Sequence, residues 1–446
     1  MRAALLLLVG YVYDITVIKV ENAERNNAMP ALLRQDKESA AILAKEKKRQ
    51  QETLDLIASE NIASSSVREA ESSEFTNKYS EGYPGAWYYK GNEYVEEMVR
   101  LGQRRARKLY KIGDEWSVNM FALSGAAANI AVYFGLLKPR MIVKHSDGSE
   151  TEEGDVALGM RLDQGGHLSH GHKVTVSGKI FRFFHYGITP EGYIDYDEVA
   201  RLANEHHPKL IVCGASAYPR IVDFARFRQI ADSVGAYLMA DVAHIAGLIA
   251  GGAHPSPFPH CHIVTTTTHK TLRGPRGALI FARNDVQDSS GKRSIAEAID
   301  RSVFPGLQGG PHDHSVFAIT VALGEALKPQ FKTYAKQVVK NAKVLAAELA
   351  KRDFRLISGG TDNHLMLIDL TNKGITGEDA SERLYQAGIV VNKNAIPNDP
   401  RGPRDPSGIR LGTPSVTTRG MREKEMKLIA EWIDRVIRDE KEISKV

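Results

Sequence analysis

Cysteine is nearly absent from this chain of 446 residues, which contains only Cys213 and Cys261. Two cysteines exclude a disulfide framework and a cysteine-based zinc site, and their scarcity suits a reducing cytoplasm. A basic tract is lacking too, because 59 basic and 54 acidic residues interleave and leave a net charge of +5. We therefore expect neither nucleic acid nor a membrane as a partner, and we expect a cytoplasmic location.

Long apolar runs and internal repeats are also missing. The N-terminal stretch "MRAALLLLVGYVYDITVIKV" is too short to span a bilayer and is interrupted by Asp14. A signal peptide is disfavoured because no clean small-x-small cleavage site follows. We expect residues 1–28 to be a disordered extension or not native, with Met29 as the true start. Export or anchoring is the alternative.

What is present alternates between helix and strand patterns. Apolar spacing of the helical kind predicts amphipathic helices over 36–57 and 92–110. Short apolar runs predict buried strands over 209–214, 236–241, 262–267 and 277–282, with a helix between the first two. This order predicts a largely parallel sheet covered on both faces. A long helix, short strands and a final helix from about residue 424 predict a smaller α+β domain, and the acidic stretch 145–155 predicts an exposed loop.

Lys270 stands at the end of a predicted strand, in "VTTTTHKTLRGPRG", directly before a Gly-Pro turn. A lone lysine is usually solvated. Polar residues that follow parallel strands, however, gather at one edge of the sheet. Ser216, Asp241 with His244, and His269 also follow predicted strands, so we expect them at the same edge as Lys270. A lysine held there beside other cations can have a lowered pKa and form a Schiff base with an aldehyde. If that aldehyde is pyridoxal phosphate, the site needs an acid for the ring nitrogen, a phosphate cradle and a flat group against the ring.

Candidates for these roles occur elsewhere in the chain. Asp241 in "DVAHIAG" offers the acid, although it could simply cap the next helix. Ser124 and Gly125 open an apolar helix whose amides suit a phosphate. His167 in "GGHLSHG" could stack on a ring; a metal site of His167, His170 and His172 is the competing interpretation, weakened because no acidic or cysteine partner has ligand spacing.

Two further segments indicate an amino-acid substrate. Arg410 in "SGIRLGTPSVTTRG" is a candidate clamp for a carboxylate, although a lone arginine is by default a surface residue. The segment "TNKYSEGYPG" with "WYYKGNEY" brings tyrosines together with Glu81, a combination that can handle protons and phosphate oxygens. A structural loop is the alternative.

Taken together, these motifs resemble the serine hydroxymethyltransferases, a family of pyridoxal-phosphate enzymes. The resemblance runs from about residue 32 to about residue 438. It is carried by long motifs in the family's order, namely "LIASEN", "TNKYSEGYPG", "YYKGNEY", "GGHLSHG", "SAYPR", "DVAHIAGLIA", "TTTTHKTLRGPRG", "FPGLQGGP", "SGGTDNHL" and "NKNAIPNDP…SGIRLGTP".

The resemblance implies fold type I of these enzymes, an α/β fold in which helices flank a mostly parallel central sheet. It implies a helical N-terminal segment over 29–74, a large cofactor-binding domain over 75–320 and a small α+β C-terminal domain over 321–446. It also implies a homodimer, or a tetramer built from dimers, with active sites shared between subunits.

The roles implied by the resemblance are assigned residue by residue. The catalytic group is Lys270, which carries the cofactor, with Glu81, His167, Asp241 and Tyr89. Cofactor contacts are implied for Ser124, Gly125, His167, Ser216, Asp241, His244, Thr267, His269, Lys270, Gly309, and, from the neighbouring subunit, Tyr79 and Gly310. Substrate contacts are implied for Ser59, Tyr89 and Arg410, and folate contacts for Glu81, Leu162, Gly166 and Asn394. No metal is implied.

The implied activity is reversible transfer of the hydroxymethyl group of serine to tetrahydrofolate, which gives glycine and methylenetetrahydrofolate. Pyridoxal phosphate is the implied cofactor and tetrahydrofolate the co-substrate. A folate-independent aldolase of β-hydroxy amino acids is the nearest rival, and a catalytically idle relative that binds RNA or protein is a rival of another class. Intact Lys270, Asp241, His167, Glu81 and Arg410 argue against the second.

The chain departs from the family pattern at several points. Ala126 stands where the family's phosphate loop has a second serine, so we expect weaker but persistent cofactor binding. The stretch 145–155 is an insertion that leads towards Leu162 and Gly166, so it could alter folate handling or be a harmless surface loop. Trp87 and Lys90 replace a usual arginine and glycine, and the chain ends earlier than the family's last helix and strand.

Overall fold

The structure, a computed structural model, describes residues 31–445, with side chains described through residue 444. The expected extension over residues 1–28 and the alternative start at Met29 lie outside the described residues. The strands are β1 Leu54–Asp55, β2 Gly82–Tyr83, β3 Ala86–Trp87, β4 Trp116–Asn119, β5 Met141–Lys144, β6 Glu150–Glu153, β7 Val156–Met160, β8 Arg182–Tyr186, β9 Leu210–Cys213, β10 Tyr237–Asp241, β11 Ile263–Thr267, β12 Ala278–Arg283, β13 Arg355–Leu356, β14 Leu365–Asp369, β15 Ile389–Val390, β16 Asn392–Asn394 and β17 Gly408–Gly412.

The α-helices alternate with these strands through the large sheet and then dominate the C-terminal part. They are α1 Ala31–Gln35, α2 Lys37–Glu52, α3 Ser65–Glu71, α4 Glu93–Tyr110, α5 Gly125–Leu136, α6 Val176–Ile180, α7 Tyr196–His206, α8 Phe224–Val234, α9 Ala246–Ala250, α10 Ile295–Arg301, α11 Asp313–Ala326, α12 Pro329–Ala350, α13 Gly377–Gln386, α14 Pro414–Thr418 and α15 Glu423–Arg438.

The central sheet has the strand order β4-β12-β11-β10-β9-β7-β8. Strands β8, β7, β9, β10 and β11 are mutually parallel, and only β12 runs against its two neighbours. The expected α/β fold with a mostly parallel sheet is therefore confirmed. Strand β12 is reversed because the ten residues after β11 form a turn, whereas a parallel return would need a longer crossover, usually a helix.

Local sequence explains why helices separate these strands. In α8, Phe224, Phe227 and Ile230 recur at helical spacing and are buried against the sheet, while Asp223 caps the helix by accepting from Arg226 N. Gly235 ends α8 in the left-handed region, with φ of 69°, a conformation that glycine adopts without a Cβ clash. This arrangement returns the chain directly into β10.

A second, antiparallel sheet with the order β13-β14-β17-β16 forms the smaller part of the molecule. Its buried side chains form a core separate from that of the large sheet. The two cores meet along α12, in which Val338 belongs to the first and Ala342 to the second. The boundary expected at 320/321 falls inside α11.

Two expected elements differ from the structure. The helix predicted over 36–57 ends at Glu52, because the apolar residues that follow enter β1, which pairs in parallel with β15. The stretch 145–155 is largely exposed, as expected, but it is not a loop throughout: residues 145–149 form the turn of a hairpin, and 150–153 form β6, which pairs with β5. Gly148 at φ of 83° makes the turn between these strands possible.

Within residues 31–445, no helix combines the length and the apolar character that crossing a bilayer requires.

Candidate active site

A cavity of about 470 Å³ opens at the carboxyl edge of the parallel strands. Parallel α/β sheets bind ligands at this edge, since the chain leaves each strand there in a loop. The lining includes the predicted residues Ser59, Ser124, Gly125, Leu162, Gly166, His167, Ser216, Asp241, His244, Thr267, His269, Lys270, Asn394 and Arg410. Residues from both sheets thus meet in one site.

Lys270 is buried in this cavity, with only 8% of its surface exposed. Burial, with Arg410 and Arg276 nearby, lowers the pKa of Lys270 to about 8, although Asp241 acts in the opposite direction. The turn beyond it is closed by its own hydrogen bonds: Gly274 N donates to Thr268 O at 2.7 Å, and Thr268 Oγ1 to Pro275 O at 2.7 Å. The rigid turn therefore holds the amine inward, where it is readily deprotonated and nucleophilic.

Asp241 ends β10 and is tied down by three donors. Its Oδ2 accepts from Asn129 Nδ2 at 2.8 Å and lies 2.9 Å from His170 Nε2, while its Oδ1 accepts from Ala243 N. Burial would raise the pKa of Asp241, but the interaction with His170, followed by those with His167 and Asn129, holds it well below its ordinary value. A carboxylate kept ionised in a buried cavity is a ready acceptor for a protonated ring nitrogen.

His167 reaches the cavity from the glycine-flanked loop after β7. Its Nδ1 accepts from Ser169 N at 3.1 Å, and its ring lies edge-on to that of His170. Burial, together with His170, Lys270 and Arg410, lowers the pKa of His167 to about 4 despite the charge of Asp241. The ring is therefore neutral at physiological pH, which suits stacking on a flat ligand.

The alternative metal site would have different ligands from those expected. Donor atoms of His167, His170 and Asp241 lie within 4.8 Å of one another, whereas His172 is not part of the group. Its acidic ligand would be Asp241, which comes from β10 and is too distant in the sequence for ligand spacing to reveal it. Two of these three side chains, His167 and Asp241, are, however, those that the ring site requires, and His170 holds Asp241.

The start of α5 and His269 form a site suited to an anion. Ser124 caps α5 by accepting from Ala127 N, and free backbone N–H groups at the start of a helix of this length attract negative charge. Gly125 cannot be replaced without displacement, because a Cβ there would lie 2.6 Å from Thr267 Cγ2. The buried Nδ1 of His269 has no hydrogen-bond partner among the described residues. An orphaned imidazole nitrogen beside open amides fits a phosphate group.

Arg410 lines the same cavity, and its hydrogen-bond partners among the described residues are neutral. Its guanidinium donates to Ser216 O at 2.7 Å and to Asn392 Oδ1 at 3.1 Å. Burial lowers the pKa of Arg410 to about 10, and within residues 31–444 no carboxylate forms a salt bridge with it. A partly buried guanidinium that has no carboxylate partner among the described residues fits a substrate carboxylate.

His244 and Ser216 lie near these groups but are engaged in domain contacts. His244 Nδ1 is 3.2 Å from Nε2 of His364, which belongs to the smaller sheet's side of the molecule. Burial and the charges of Lys270 and Arg410 hold the pKa of His244 well below its ordinary value. Gly214, at φ of 122°, permits the turn towards Ser216, since a Cβ there would meet Asp241 O at 2.0 Å.

Five predicted residues do not line this cavity. They form a separate cluster on the surface of the same chain, in which Tyr89 donates to Glu81 Oε2 at 2.9 Å and Tyr79 lies 3.5 Å from Glu81 Oε1. Tyr79 is 61% exposed and Tyr89 is 45% exposed. The cluster consists of Tyr79, Glu81, Tyr89, Gly309 and Gly310, all outside the cavity that contains Lys270.

The reasoning from sequence missed several residues of the site. Arg276, in the turn that follows Lys270, lines the cavity. Asn129 and His170 contact Asp241, and His364 contacts His244. His170, His364 and Arg276 lie in the motifs "GGHLSHG", "SGGTDNHL" and "TTTTHKTLRGPRG", but only His170 was named, as a candidate metal ligand. The other contacts join distant segments, which spacing alone does not reveal.

The two main departures, Ala126 and the insertion over 145–155, lie on different elements of the fold. Ala126 lines the cavity at the start of α5 and offers no hydroxyl there. The β5–β6 hairpin precedes β7, whereas Leu162 and Gly166 follow its other end. An influence of the insertion on Leu162 and Gly166 would therefore have to cross the length of the strand, which favours the surface-loop alternative.

Comparison with known proteins gives a consistent result. The family model described as serine hydroxymethyltransferase matches residues 32–433. A protein named serine hydroxymethyltransferase from Desulfotalea psychrophila (strain LSv54 / DSM 12343) is 50% identical over 418 residues, which cover 94% of this chain and 92% of that relative.

Proposed function

Because this chain belongs to the serine hydroxymethyltransferase family, we propose that the cavity around Lys270 binds pyridoxal phosphate, serine and tetrahydrofolate. The protein is a pyridoxal-phosphate-dependent transferase that moves the hydroxymethyl group of serine to tetrahydrofolate, giving glycine and 5,10-methylenetetrahydrofolate. The observation that carries the assignment of the site is the meeting of two cationic side chains, the buried Lys270 and the partly buried Arg410, with the ionised Asp241 in one cavity.

The residues present fit the cofactor. Lys270 offers an amine that loses its proton near neutral pH, and Asp241 offers a fixed anion for the ring nitrogen. His269 has an unpaired buried nitrogen, and with the amides at Ser124 and Gly125 it would hold the phosphate. When bound, the cofactor supplies a ring that accepts the electrons released as the Cα–Cβ bond of serine breaks.

The remaining cavity residues would orient the substrate and hold protons. Arg410 would bind the carboxylate through paired N–H donors, with Ser59 in the same cavity lining, and this contact would orient the bond that is to break. His167 would cover the ring as a neutral imidazole, and His244 with Ser216 would face the ring hydroxyl. Thr267 supports Gly125 from the end of β11.

Folate would enter at the side where Leu162, Gly166 and Asn394 meet the cavity mouth. Leu162 is partly exposed and offers an apolar contact for a flat pterin ring, and Asn394 offers an amide for its polar edge. Glu81 would be the acid-base group between the substrate hydroxyl and folate.

Glu81 lies outside the cavity of its own chain, so we propose that a second copy completes each site. Tyr79, Glu81, Tyr89, Gly309 and Gly310 form one surface cluster suited to insertion into a neighbour. Helix α2 supports the same proposal, because Ile42 and Leu43 are 67% and 58% exposed and no residue of the helix is buried. A homodimer, or a tetramer built from it, would cover these surfaces.

A cytoplasmic location is proposed on the chemistry of the thiols. Cys213 and Cys261 are both buried and unpaired by any disulfide, as expected for a chain that folds in a reducing compartment.

Turnover of serine with and without tetrahydrofolate tests the function. We expect glycine and methylenetetrahydrofolate to form in equal amounts, and serine cleavage to require folate. Lys270→Ala serves as the control for cofactor-dependent turnover. Cleavage of β-hydroxy amino acids that ignores folate would instead identify an aldolase, and a protein that takes up no pyridoxal phosphate would identify a non-catalytic relative.

A further inference from the structure

The surface loop that carries Tyr79 and Glu81 is attached to α11 by one buried hydrogen-bonded pair. Ser80 Oγ lies 2.7 Å and 2.9 Å from the two carboxylate oxygens of Asp313. The exposed fractions of Ser80 and Asp313 are 0% and 1%. Hydrogen bonds from a hydroxyl to a carboxylate are among the stronger ones, and a buried partner left alone is costly.

The position of Ser80 in the loop determines where its neighbours face. Ser80 is buried, whereas Tyr79 before it is exposed and Glu81 after it is partly exposed, so the side chains of Tyr79 and Glu81 lie on the outer side of the loop. The distances already described, 3.5 Å from Tyr79 Oη to Glu81 Oε1 and 2.9 Å from Tyr89 Oη to Glu81 Oε2, hold the outward side chains together.

Asp313 also fixes the glycine loop against this segment. A Cβ at Gly309 would lie 3.2 Å from Glu81 Oε1, and one at Gly310 would lie 3.4 Å from Tyr79 Cζ. Asp313 follows Gly310 by three residues and is the first residue of α11, a helix that packs along α4 and α3. One side-chain pair therefore sets the position of two loops relative to a rigid helix.

Neither Ser80 nor Asp313 lines the cavity that contains Lys270 of the same chain. We propose that Ser80 and Asp313 form a positioning pair that holds the Tyr79–Glu81 segment and Gly309–Gly310 in the arrangement that completes the active site of a second copy of the chain. This inference rests on the shared site of the proposed function. The pair contacts neither substrate nor cofactor and acts through the residues it places.

Hybrid dimers with two different affinity tags test the inference, because they separate effects within a copy from effects on its neighbour. Each hybrid contains one copy with Lys270→Ala, so only one site can attach the cofactor. In the first hybrid the other copy carries Asp313→Ala, so the competent site keeps an intact loop from its neighbour. In the second, Asp313→Ala is placed on the Lys270→Ala copy and the other copy is unchanged.

The readout is the dissociation constant of pyridoxal phosphate, followed by the absorbance of the lysine-bound form. We expect the first hybrid to match a hybrid of Lys270→Ala with the unchanged chain. We expect the second to bind about tenfold more weakly, the effect of losing one buried charge-assisted hydrogen bond. Weakening of the first hybrid alone, or of both equally, would overturn the proposal.

Further variants separate positioning from general stability. Ser80→Ala in place of Asp313→Ala should give the same shift, and the two together should give no larger one, because they remove the same contact. Asp313→Asn keeps an acceptor for Ser80 and should restore most of the affinity. Asp434→Ala, which removes a buried carboxylate bonded to Arg438 in α15, should lower the melting temperature without changing cofactor affinity.

A separate hybrid distinguishes the failure of this inference from the failure of the shared site. Lys270→Ala paired with Glu81→Gln should regain serine turnover, because one site then has both Lys270 and Glu81. If this hybrid does not regain turnover, the proposal of a shared site is wrong, and so is the proposed role of the positioning pair. If turnover returns but Asp313→Ala has no effect on the neighbouring site, only the positioning pair is wrong.

Discussion

Nε2 of His170 lies 2.9 Å from Oδ2 of Asp241, and the side chains are only 1% and 11% exposed. The contact joins the loop after β7 to the end of β10. Together with Asn129 it orients Asp241 and keeps it ionised. The acid that would face the cofactor ring therefore depends on a histidine that does not line the cavity.

Replacing His170 should weaken cofactor binding in a pH-dependent way. In His170→Leu the pKa of Asp241 should rise, so that the carboxyl becomes protonated at higher pH than in the unchanged protein. We expect the dissociation constant of pyridoxal phosphate to increase roughly 10–100-fold, and the increase to grow as pH falls from 8 to 5. His172→Leu, outside the Asp241 cluster, is the matched control. An equal, pH-independent effect of both variants would contradict this role.

Arg410→Lys should affect substrate binding more than cofactor binding. Lysine keeps the charge but loses the paired donors, and its ammonium would not reach both Ser216 O and Asn392 Oδ1. We expect the KM for serine and the dissociation constant of glycine to rise roughly 10–100-fold, with cofactor affinity nearly unchanged. Arg404→Lys, at an exposed position of the same segment, should leave both constants as they were. A larger loss of cofactor than of serine affinity would refute the assignment.

The lowered pKa of Lys270 predicts how fast the apoprotein attaches its cofactor at each pH. Only the neutral amine attacks an aldehyde, and the buried amine loses its proton at a pKa of about 8 instead of the ordinary lysine value. The rate should therefore rise about tenfold per pH unit up to about pH 8 and then level off. Stopped-flow absorbance measures it, with free N-acetyl-lysine as the control, whose rate should keep rising to about pH 10. A parallel rise for both amines would show that the site does not lower this pKa.

Ala126→Ser should strengthen cofactor binding, because it adds a hydroxyl where the cavity meets the start of α5. One neutral hydrogen bond to the phosphate is worth about 1 kcal/mol, or about a fivefold lower dissociation constant. Ala127→Ser makes the same change one residue further along α5, outside the cavity lining. Equal cofactor affinities of Ala126→Ser and the unchanged protein would show that Ala126 does not weaken cofactor binding.

Much of the site follows from the sequence because strand ends converge in a parallel sheet. The run before Asp241 is apolar and the run before Lys270 is β-branched, so both strands and both functional residues could be placed without a structure. The reversed direction of β12 was not predicted. It depends on the length of the connection, which the pattern of apolar residues does not show.

Contacts between distant segments were the part that the sequence did not reveal. Asn129 reaches Asp241 from α5, across more than a hundred residues, and nothing near either residue marks the pair. Glu81 and Tyr89 were assigned to the site by resemblance, yet they lie outside the cavity of their own chain. A sequence describes one chain, so it carries no direct signal of which copy supplies a residue.

Chemical trapping at Lys270 tests the central claim most directly. Borohydride reduction of the protein loaded with pyridoxal phosphate, followed by proteolysis and mass spectrometry, locates the lysine that holds the cofactor. The account predicts a single reduced adduct, on the peptide that contains Lys270, and its loss in Lys270→Ala. An adduct on another lysine, or no adduct at all, would contradict the assignment of the active site.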